Sequence, residues 1–140
     1  MPVAIEEREF IVYVQIRPGC FQFLQEMSKH YEVIIYTASL SKYADPLMNI
    51  LDPEKLCTSR LFREHCTFLD QSYVKDMSLL NRRMENIILI DNSPNSYRLQ
   101  PENALPITTW YNDPVDTELF DFIPLLTGLS TVKDVRVVLS

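Results

Sequence analysis

Apolar residues recur along the 140-residue chain with two different periods, and segments of the two kinds alternate. In residues 10 to 16, Phe, Val, Val and Ile occupy every second position, which predicts a strand that ends at Arg17-Pro18-Gly19. Residues 33 to 36 and 87 to 90 are continuous apolar runs, which are typical of strands buried on both faces. Such runs indicate a parallel sheet covered by helices.

Helical spacing follows the first two of these strands. Apolar positions in residues 19 to 30 repeat every three or four residues, which predicts an amphipathic helix. A second helical face runs over residues 43 to 51, where Asp45-Pro46 is expected to interrupt or restart the helix. Strands that alternate with helices predict an α/β fold, and the apolar stripes are assigned to its core.

Two further helices are predicted near the end of the chain. The first begins at Pro114, with Asp113 as its N-cap, and ends near Gly128. A last short helix follows, because Thr131 and Asp134 have roughly the spacing of a capping box. The aromatic and aliphatic stripes of both helices require no cofactor.

Asp91 is the first candidate for chemistry, because it follows the apolar run of residues 87 to 90 directly. Ser93 can cap a following helix, and Pro94 suits its first turn. Asp91 would then lie at the carboxyl end of a strand, where ligands of open α/β sheets collect, and its oxygen atoms suit Mg²⁺. Asp-Asn-Ser-Pro is also a common turn sequence. The residues alone therefore allow Asp91 to be either a metal ligand or an aspartate that opens a turn.

Composition narrows the classes of partner. The net charge of −6 argues against direct, sequence-independent nucleic-acid binding, which needs a basic surface. No apolar stretch approaches the length that spans a membrane. Three cysteines, an odd number without metal-site spacing, are expected to be reduced, and the pair His65-Cys66 predicts no zinc site. We therefore expect an intracellular protein, nuclear or cytoplasmic.

Four stretches occur in the order of one known family. They are Ile16-Arg17-Pro18-Gly19, Val33-Ile34-Ile35-Tyr36-Thr37-Ala38-Ser39, Leu61-Phe62-Arg63-Glu64-His65-Cys66 followed by Tyr73-Val74-Lys75-Asp76, and Asp91-Asn92-Ser93-Pro94. With them the chain resembles, from about Val12 to Leu139, the FCP/SCP-like or NLI-interacting-factor-like phosphatases of the haloacid-dehalogenase superfamily. The resemblance implies an α/β three-layer sandwich with a mostly parallel sheet.

The motif that carries the family's nucleophile is missing from these 140 residues. The family uses Asp-x-Asp-x-Thr on the first core strand, and the nearest pattern here, residues 113 to 117, has the wrong spacing. In the family this motif precedes the Arg-Pro motif by more residues than the 16 that stand before Arg17. We therefore expect one phosphatase homology domain over residues 1 to 140, N-terminally incomplete and without its central nucleophile strand.

The resemblance also assigns roles to five residues. Lys75 neutralises the substrate phosphate and steadies the nucleophile, and Thr37 donates its hydroxyl group to a phosphoryl oxygen. Arg63 binds the substrate phosphate. Asp91 is a Mg²⁺ ligand, and Asn92 is its neighbour in the metal shell.

Each of these residues has a plainer interpretation. Without the family, Thr37 would be a loop or helix-start residue and Lys75 a solvated surface charge. Arg63 would form a surface ion pair with Glu64 or another carboxylate. Arg17 and Pro18 are expected to be structural. Four aromatic residues, Phe62, Phe68, Tyr73 and Trp110, are assigned to partial burial rather than to a peptide groove.

Two functions are expected. The first is a Mg²⁺-dependent protein serine/threonine phosphatase acting through an aspartyl-phosphate on phosphoproteins such as the RNA polymerase II tail. This chain would be inactive as it stands, and its Mg²⁺ binding weak or absent. The alternative is a nucleophile-less relative that binds phosphopeptides or proteins. In either case the missing strand leaves a gap, so we expect instability, oligomers or strand exchange.

Overall fold

The computed structural model describes the backbone of residues 2–5, 10–13 and 15–139, and the side chains of residues 15–139. The strands are β1 (Pro2–Ile5), β2 (Phe10–Tyr13), β3 (Ile34–Tyr36), β4 (Ser59–Leu61), β5 (Thr67–Leu69), β6 (Ser72–Val74), β7 (Leu89–Asp91) and β8 (Ala104–Pro106). The α-helices are α1 (Cys20–Met27), α2 (Ser41–Leu51), α3 (Glu118–Leu129) and α4 (Val135–Leu139). Single turns of 3₁₀-helix join several of them.

The described strands pair two by two. β3 pairs in parallel with β4, and β7 pairs in parallel with β8, with Ile35 opposite Arg60 and Ile90 opposite Leu105. β1 with β2 and β5 with β6 are antiparallel hairpins. The predicted α/β class with parallel pairing is therefore confirmed, but the described strands form separate pairs rather than one continuous sheet.

The core lies where α1 and α3 cover the strands. Met27, Leu126 and Leu129 are buried together. Partly buried residues of both halves pack against them, among them Val33, Ile88, Ile90 and Leu105. The Tyr31 hydroxyl group donates to the Leu126 carbonyl at 2.6 Å. The helices thus connect the β3 side of the molecule to the β7 side.

The first half of the chain follows the predicted pattern with two exceptions. The helix predicted over residues 19 to 30 is present as α1, but β2 stops at Tyr13, Gln15 and Ile16 are not in a strand, and Val14 lies outside the described residues. The expected break at Asp45-Pro46 is wrong, since α2 runs through Pro46. Proline removes one amide donor near the helix start, and the remaining residues still complete the helix.

The helix predicted to begin at Pro114 begins instead at Glu118. Asp113 does not act as its N-cap, because its Oδ1 accepts from the Val115 amide at 3.0 Å in a local turn. The Asp116 carboxylate is bound by Arg17, whose Nε donates to Oδ2 at 2.6 Å. These contacts hold the segment in turns, and they support the structural role expected for Arg17.

Two predicted caps are also wrong. Ser93 makes no side-chain cap, and the segment after it is a single 3₁₀ turn, Pro94–Tyr97. The last helix is capped by Asp134, whose Oδ1 accepts from the Arg136 amide at 3.0 Å, while the Thr131 hydroxyl group donates to the Gly128 carbonyl. Both results follow from short side chains that bond to the nearest available backbone group.

Candidate functional site

The carboxyl ends of β3 and β7 bring Thr37 and Asp91 to the same part of the molecule. Thr37 is the residue after β3, and its amide donates to the Leu61 carbonyl at 2.9 Å, which continues the pairing with β4. Asp91 is the last residue of β7, with 8% of its surface exposed. The sequence prediction that Asp91 ends a strand is confirmed.

Lys75 and Asp91 form a buried ion pair at this place. The Lys75 Nζ lies 2.5 Å from Asp91 Oδ2, and only 9% of Lys75 is exposed. The other oxygen, Oδ1, accepts from the Ser93 amide at 2.9 Å. Each oxygen of the buried Asp91 carboxylate therefore accepts a hydrogen bond. The plainer interpretation of Lys75 as a solvated surface charge is therefore wrong.

Hydrogen bonds of the Lys75 amide and of the neighbouring Asp76 side chain hold this segment in place. The Lys75 amide donates to the Ser96 carbonyl at 2.9 Å, in the 3₁₀ turn that follows Asp91. Asp76 Oδ1 accepts from the Ser78 hydroxyl group at 2.6 Å and from Gln100 Nε2 at 2.8 Å. The Ser78 hydrogen bond is the largest cause of a lowered Asp76 pKa, so this carboxylate stays charged. The lysine is consequently presented by a rigid turn.

Arg63 lies between a backbone carbonyl and an aromatic ring. Its Nε donates to the Ala38 carbonyl at 2.8 Å, and its guanidinium carbon lies 5.0 Å from the centre of the Tyr73 ring. Among the described residues it forms neither the ion pair with Glu64 nor a hydrogen bond from its terminal nitrogens. A planar cation with unused donors suits an oxyanion such as phosphate.

The Cys66 thiol lies near Thr37, Lys75, Arg63 and Asp91. In the sequence, Cys66 was considered only as part of a metal-binding pair with His65, and that pair was predicted not to bind zinc. The Cys66 Sγ lies 3.9 Å from the Thr37 carbonyl oxygen. Burial raises the pKa of Cys66, and the positive charges of Lys75 and Arg63 oppose that change, while Asp91 adds to it. The thiol therefore contacts the backbone of Thr37 and lies close enough to Lys75, Arg63 and Asp91 for their charges to affect it.

Tyr36 forms a wall of the site that the sequence did not indicate. Its hydroxyl group donates to the His65 carbonyl at 2.5 Å, and its ring centre lies 5.8 Å from Lys75 Nζ. Burial, with smaller effects from Cys66 and Asp76, raises the pKa of Tyr36 to about 12. The ring stays neutral at any physiological pH. Only its place at a strand end could have signalled this role.

The side chains of two predicted residues have hydrogen-bond partners outside the ion pair. The Thr37 Oγ1 accepts from the Ser39 amide at 3.1 Å, which leaves its hydroxyl proton for another acceptor. Asn92 is exposed, and its Nδ2 donates to Thr109 Oγ1 at 3.0 Å. The amide oxygen of Asn92 is the atom that could serve a metal ion.

The donor set does not make a complete magnesium site. Among the described residues no group of three or more His, Cys, Asp or Glu side chains is placed to hold a metal ion. Asp91 Oδ2 is bound by Lys75, and Asn92 could add one amide oxygen. Mg²⁺ prefers six oxygen ligands, so these two residues would need other partners.

The fold and this site define the class of protein. The chain is similar to two solved structures, described as "The Structure of Fcp1, an essential RNA polymerase II CTD phosphatase" and "Structure of fission yeast RNA polymerase II CTD phosphatase Fcp1-R271A bound to beryllium fluoride". The TM-scores are 0.62 and 0.61, at 23% and 18% identity, covering 97% and 94% of this chain but 39% and 42% of those chains. The predicted haloacid-dehalogenase fold class is confirmed.

The sequence comparisons identify the family, which is a narrower class than the fold. A family model described as "NLI interacting factor-like phosphatase" matches residues 1–136, and the chain belongs to this family. It is 47% identical over 135 residues to the human "CTD small phosphatase-like protein", covering 96% of this chain and 49% of that protein. It is 48% identical over 137 residues to "CTD small phosphatase-like protein 1" of Caenorhabditis elegans, covering 96% and 28%. The chain thus spans about half of these relatives or less.

Within the part of the chain that the structure describes, no helix is both long enough and apolar enough to cross a membrane.

Proposed function

We propose that this chain supplies the phosphate-binding part of a protein serine/threonine phosphatase domain. The observation that carries the proposal is the buried Lys75–Asp91 pair, in which Asp91 ends the parallel-paired strand β7 and Lys75 follows β6, with Thr37 and Arg63 in the same part of the molecule. Membership of a phosphatase family supports the reaction class. The names of relatives that refer to the CTD of RNA polymerase II support a phosphoserine or phosphothreonine segment of a protein as the substrate.

In this proposal each side chain has a distinct task. The Lys75 ammonium group offsets the negative charge of the phosphate, and burial strengthens that interaction. Arg63 donates from its terminal nitrogens, held in position by Ala38 and Tyr73. The Thr37 hydroxyl group donates to a phosphoryl oxygen. Such groups stabilise a transferring phosphoryl group by position and charge alone.

The reacting carboxylates are not among these residues. The sequence has no Asp-x-Asp-x-Thr, so it offers neither the nucleophile nor the acid/base partner of the family reaction. Asp91 and Asn92 would contribute two oxygen ligands to Mg²⁺, and we expect weak binding of the ion by these 140 residues alone. The chain should therefore bind phosphopeptides and hydrolyse them very slowly, because catalytic groups that act as a unit fail together.

Binding of a phosphoserine-proline peptide tests this proposal. We expect saturable fluorescence anisotropy with the phosphorylated peptide, and at least tenfold weaker binding by Arg63→Ala and by Lys75→Ala, since each removes a charged donor. Arg60→Ala is a matched control, because Arg60 binds Asp45 and Asn49 instead. Equal loss in the Arg60 variant, or unchanged binding in the other two, would remove Arg63 and Lys75 from the site.

The second function is a binding module without catalysis. Its support is the same absence of a nucleophile motif from the printed sequence. The two functions predict different activities for the endogenous polypeptide isolated from its source cells. Phosphate release from the phosphopeptide by that polypeptide supports the enzyme, whereas binding without release supports the module.

A further inference from the structure

The β5–β6 hairpin carries two aromatic rings on one face, next to Arg63. Phe68 and Tyr73 stand opposite each other in the strand register, and their ring centres are 5.2 Å apart at an interplanar angle of 86°. The guanidinium carbon of Arg63 lies 5.0 Å from the centre of the Tyr73 ring. Phe68 and Tyr73 are 56% and 38% exposed. Burial in the core therefore does not explain why the hairpin carries two rings here.

The hairpin that carries these rings is anchored at both ends. Two residues, Asp70 and Gln71, connect its strands, and both have positive φ angles, as the tightest hairpin turns require. The Asp70 carboxylate accepts from Arg98 Nη2 at 3.0 Å, which ties the tip of the hairpin to the segment after Asp91. At the base of the hairpin, Val74 is completely buried. Its exposed face can therefore serve as a fixed support for a neighbouring side chain.

Arg63 is restrained along one edge and on one face of its planar group. Its Nε donates to the Ala38 carbonyl at 2.8 Å, so that edge is occupied. The Tyr73 ring covers one face. The edge formed by the two terminal nitrogens remains, and such an edge can bind two oxygen atoms of one phosphate. A flexible side chain loses rotamer freedom when it binds, so an arginine that is held beforehand binds an anion more tightly.

The same hairpin also places the second cation of the site. Lys75 directly follows β6, and its Nζ is bound to Asp91. Burial raises the pKa of Cys66, and the positive charges of Lys75 and Arg63 both oppose this change, so the two cations lie near one thiol. One structural unit therefore sets the position of Lys75 through the backbone and the position of Arg63 through the Tyr73 ring.

We propose that Tyr73 and Phe68 are positioning residues of the phosphate site. Tyr73 fixes the plane of the Arg63 guanidinium group, and Phe68, in a T-shaped contact with Tyr73, fixes the tilt of that ring. The terminal nitrogens of Arg63 then face the phosphate that Lys75 binds. Neither ring contacts the phosphate, because both act through Arg63. This inference rests on the proposed function and gives a task to two rings that the sequence assigned only to partial burial.

Binding of the phosphoserine-proline peptide to the 140-residue chain tests this role. We expect Tyr73→Leu to raise the Kd about fivefold or more, and Tyr73→Phe less than about twofold, because phenylalanine keeps the ring face that contacts Arg63. Phe68→Leu should raise the Kd about threefold. In a chain that already carries Arg63→Ala, Tyr73→Leu should change the Kd less than about twofold, since the residue through which it acts is gone. A general loss of structure would instead weaken binding in both backgrounds.

A second measurement needs no phosphopeptide. In proton–nitrogen NMR spectra of the arginine side chains, the signal that disappears in Arg63→Ala reports the Nε group of Arg63. The ring current of Tyr73 should shift this signal in the parent chain. The shift should persist in Tyr73→Phe and vanish in Tyr73→Leu, which shows the contact itself rather than its effect on binding.

The outcomes separate this inference from the proposed function. If Arg63→Ala weakens phosphopeptide binding but Tyr73→Leu does not, the positioning role is overturned and the phosphate site stands. The same holds if Tyr73→Leu weakens binding equally with and without Arg63, or if the Arg63 signal is the same in Tyr73→Leu as in the parent chain. If the parent chain binds no phosphopeptide, the proposed function fails and the positioning role fails with it.

Discussion

At the scale of single residues, the Lys75–Asp91 pair has the strongest structural consequences. Both side chains are buried, and removal of one partner leaves an unpaired charge in the interior. We expect Lys75→Met to lower the free energy of unfolding by about 3–5 kcal/mol. Urea denaturation of the variant measures this change directly.

The control for that experiment is an exposed ion pair. Arg83 lies 2.7 Å from Glu85, with 79% of the Arg83 side chain exposed, so Arg83→Met should change stability by no more than about 1 kcal/mol. The double variant of Lys75→Met with Asp91→Asn should recover part of the lost stability, because it leaves no unpaired charge. Similar effects at the buried and exposed pairs would mean that burial does not govern the interaction.

Asp52 is a buried carboxylate that makes stability depend on pH. Burial alone raises its pKa, but the amides of Cys57 and Leu56, donating at 2.9 and 2.8 Å, outweigh burial and lower it. A lowered pKa means that the carboxylate stabilises the fold fully above its unfolded pKa of about 3.9. That contribution is lost as the pH falls through the lower pKa of the folded state.

Asp52→Asn should therefore reduce stability at pH 7 by about 1.5–3 kcal/mol, the usual contribution of hydrogen bonds to a charged group. The difference between variant and parent should shrink as the pH falls below about 3.9, because the parent then becomes protonated. Denaturation curves at pH 7 and pH 3 give both values. A difference of equal size at both pH values would contradict the ionised role of Asp52.

The sequence predicted individual site residues better than their contacts. Asp91 and Thr37 could be found because each directly follows an apolar run that forms a strand. The Lys75–Asp91 bond joins residues 16 positions apart across two 3₁₀ turns, so no local pattern indicates it. Cys66 and Tyr36 were missed for the same reason, since only the tertiary arrangement brings them together.

At the scale of elements, Gly19 couples the start of α1 to α3. Its φ of +87° is a left-handed conformation that favours glycine, and a Cβ atom there would lie 2.9 Å from the Phe120 ring. We expect Gly19→Ala to destabilise the chain by about 1–3 kcal/mol, from backbone strain and from displacement of Phe120. Thermal and urea denaturation measure the loss.

Gly128 offers a matched substitution within α3. A Cβ atom there meets nothing within 4 Å, so Gly128→Ala should raise stability by about 0.5–1 kcal/mol through helix propensity. We therefore expect the two substitutions to change the free energy of unfolding in opposite directions. Destabilisation by both would show that the helix pair tolerates no added methyl group, and that the conformation of Gly19 is not the cause.

Helix boundaries could be predicted only where capping chemistry had no competing partner. The helix predicted over residues 19 to 30 is present as α1, which begins at Cys20 and ends at Met27. Asp113 looked like an N-cap, but it bonds to Val115, and Arg17 holds Asp116 from a segment about 100 residues earlier in the chain. Both predictions based on proline were wrong. Pro46 was expected to interrupt a helix but lies inside α2, and Pro114 was expected to begin a helix but precedes α3 by one turn.

At the scale of the whole molecule, the described strands form separate pairs rather than one sheet. Within the described residues β3 pairs only with β4 and β7 only with β8, and a cavity of about 740 Å³ lies between the two pairs. The missing central strand expected from the family resemblance stays a prediction. Open strand edges pair readily with other chains. The lining of the cavity could not be predicted from the sequence, because it combines residues from distant parts of the chain.

We therefore expect the purified chain to associate with itself more strongly as its concentration rises. Sedimentation velocity should show a weight-average mass that increases with protein concentration, and thermal unfolding should shift with concentration. A monomer with a sharp, concentration-independent melt would mean that the edges are closed in solution, because open backbone groups and an unassociated chain are not compatible at high concentration.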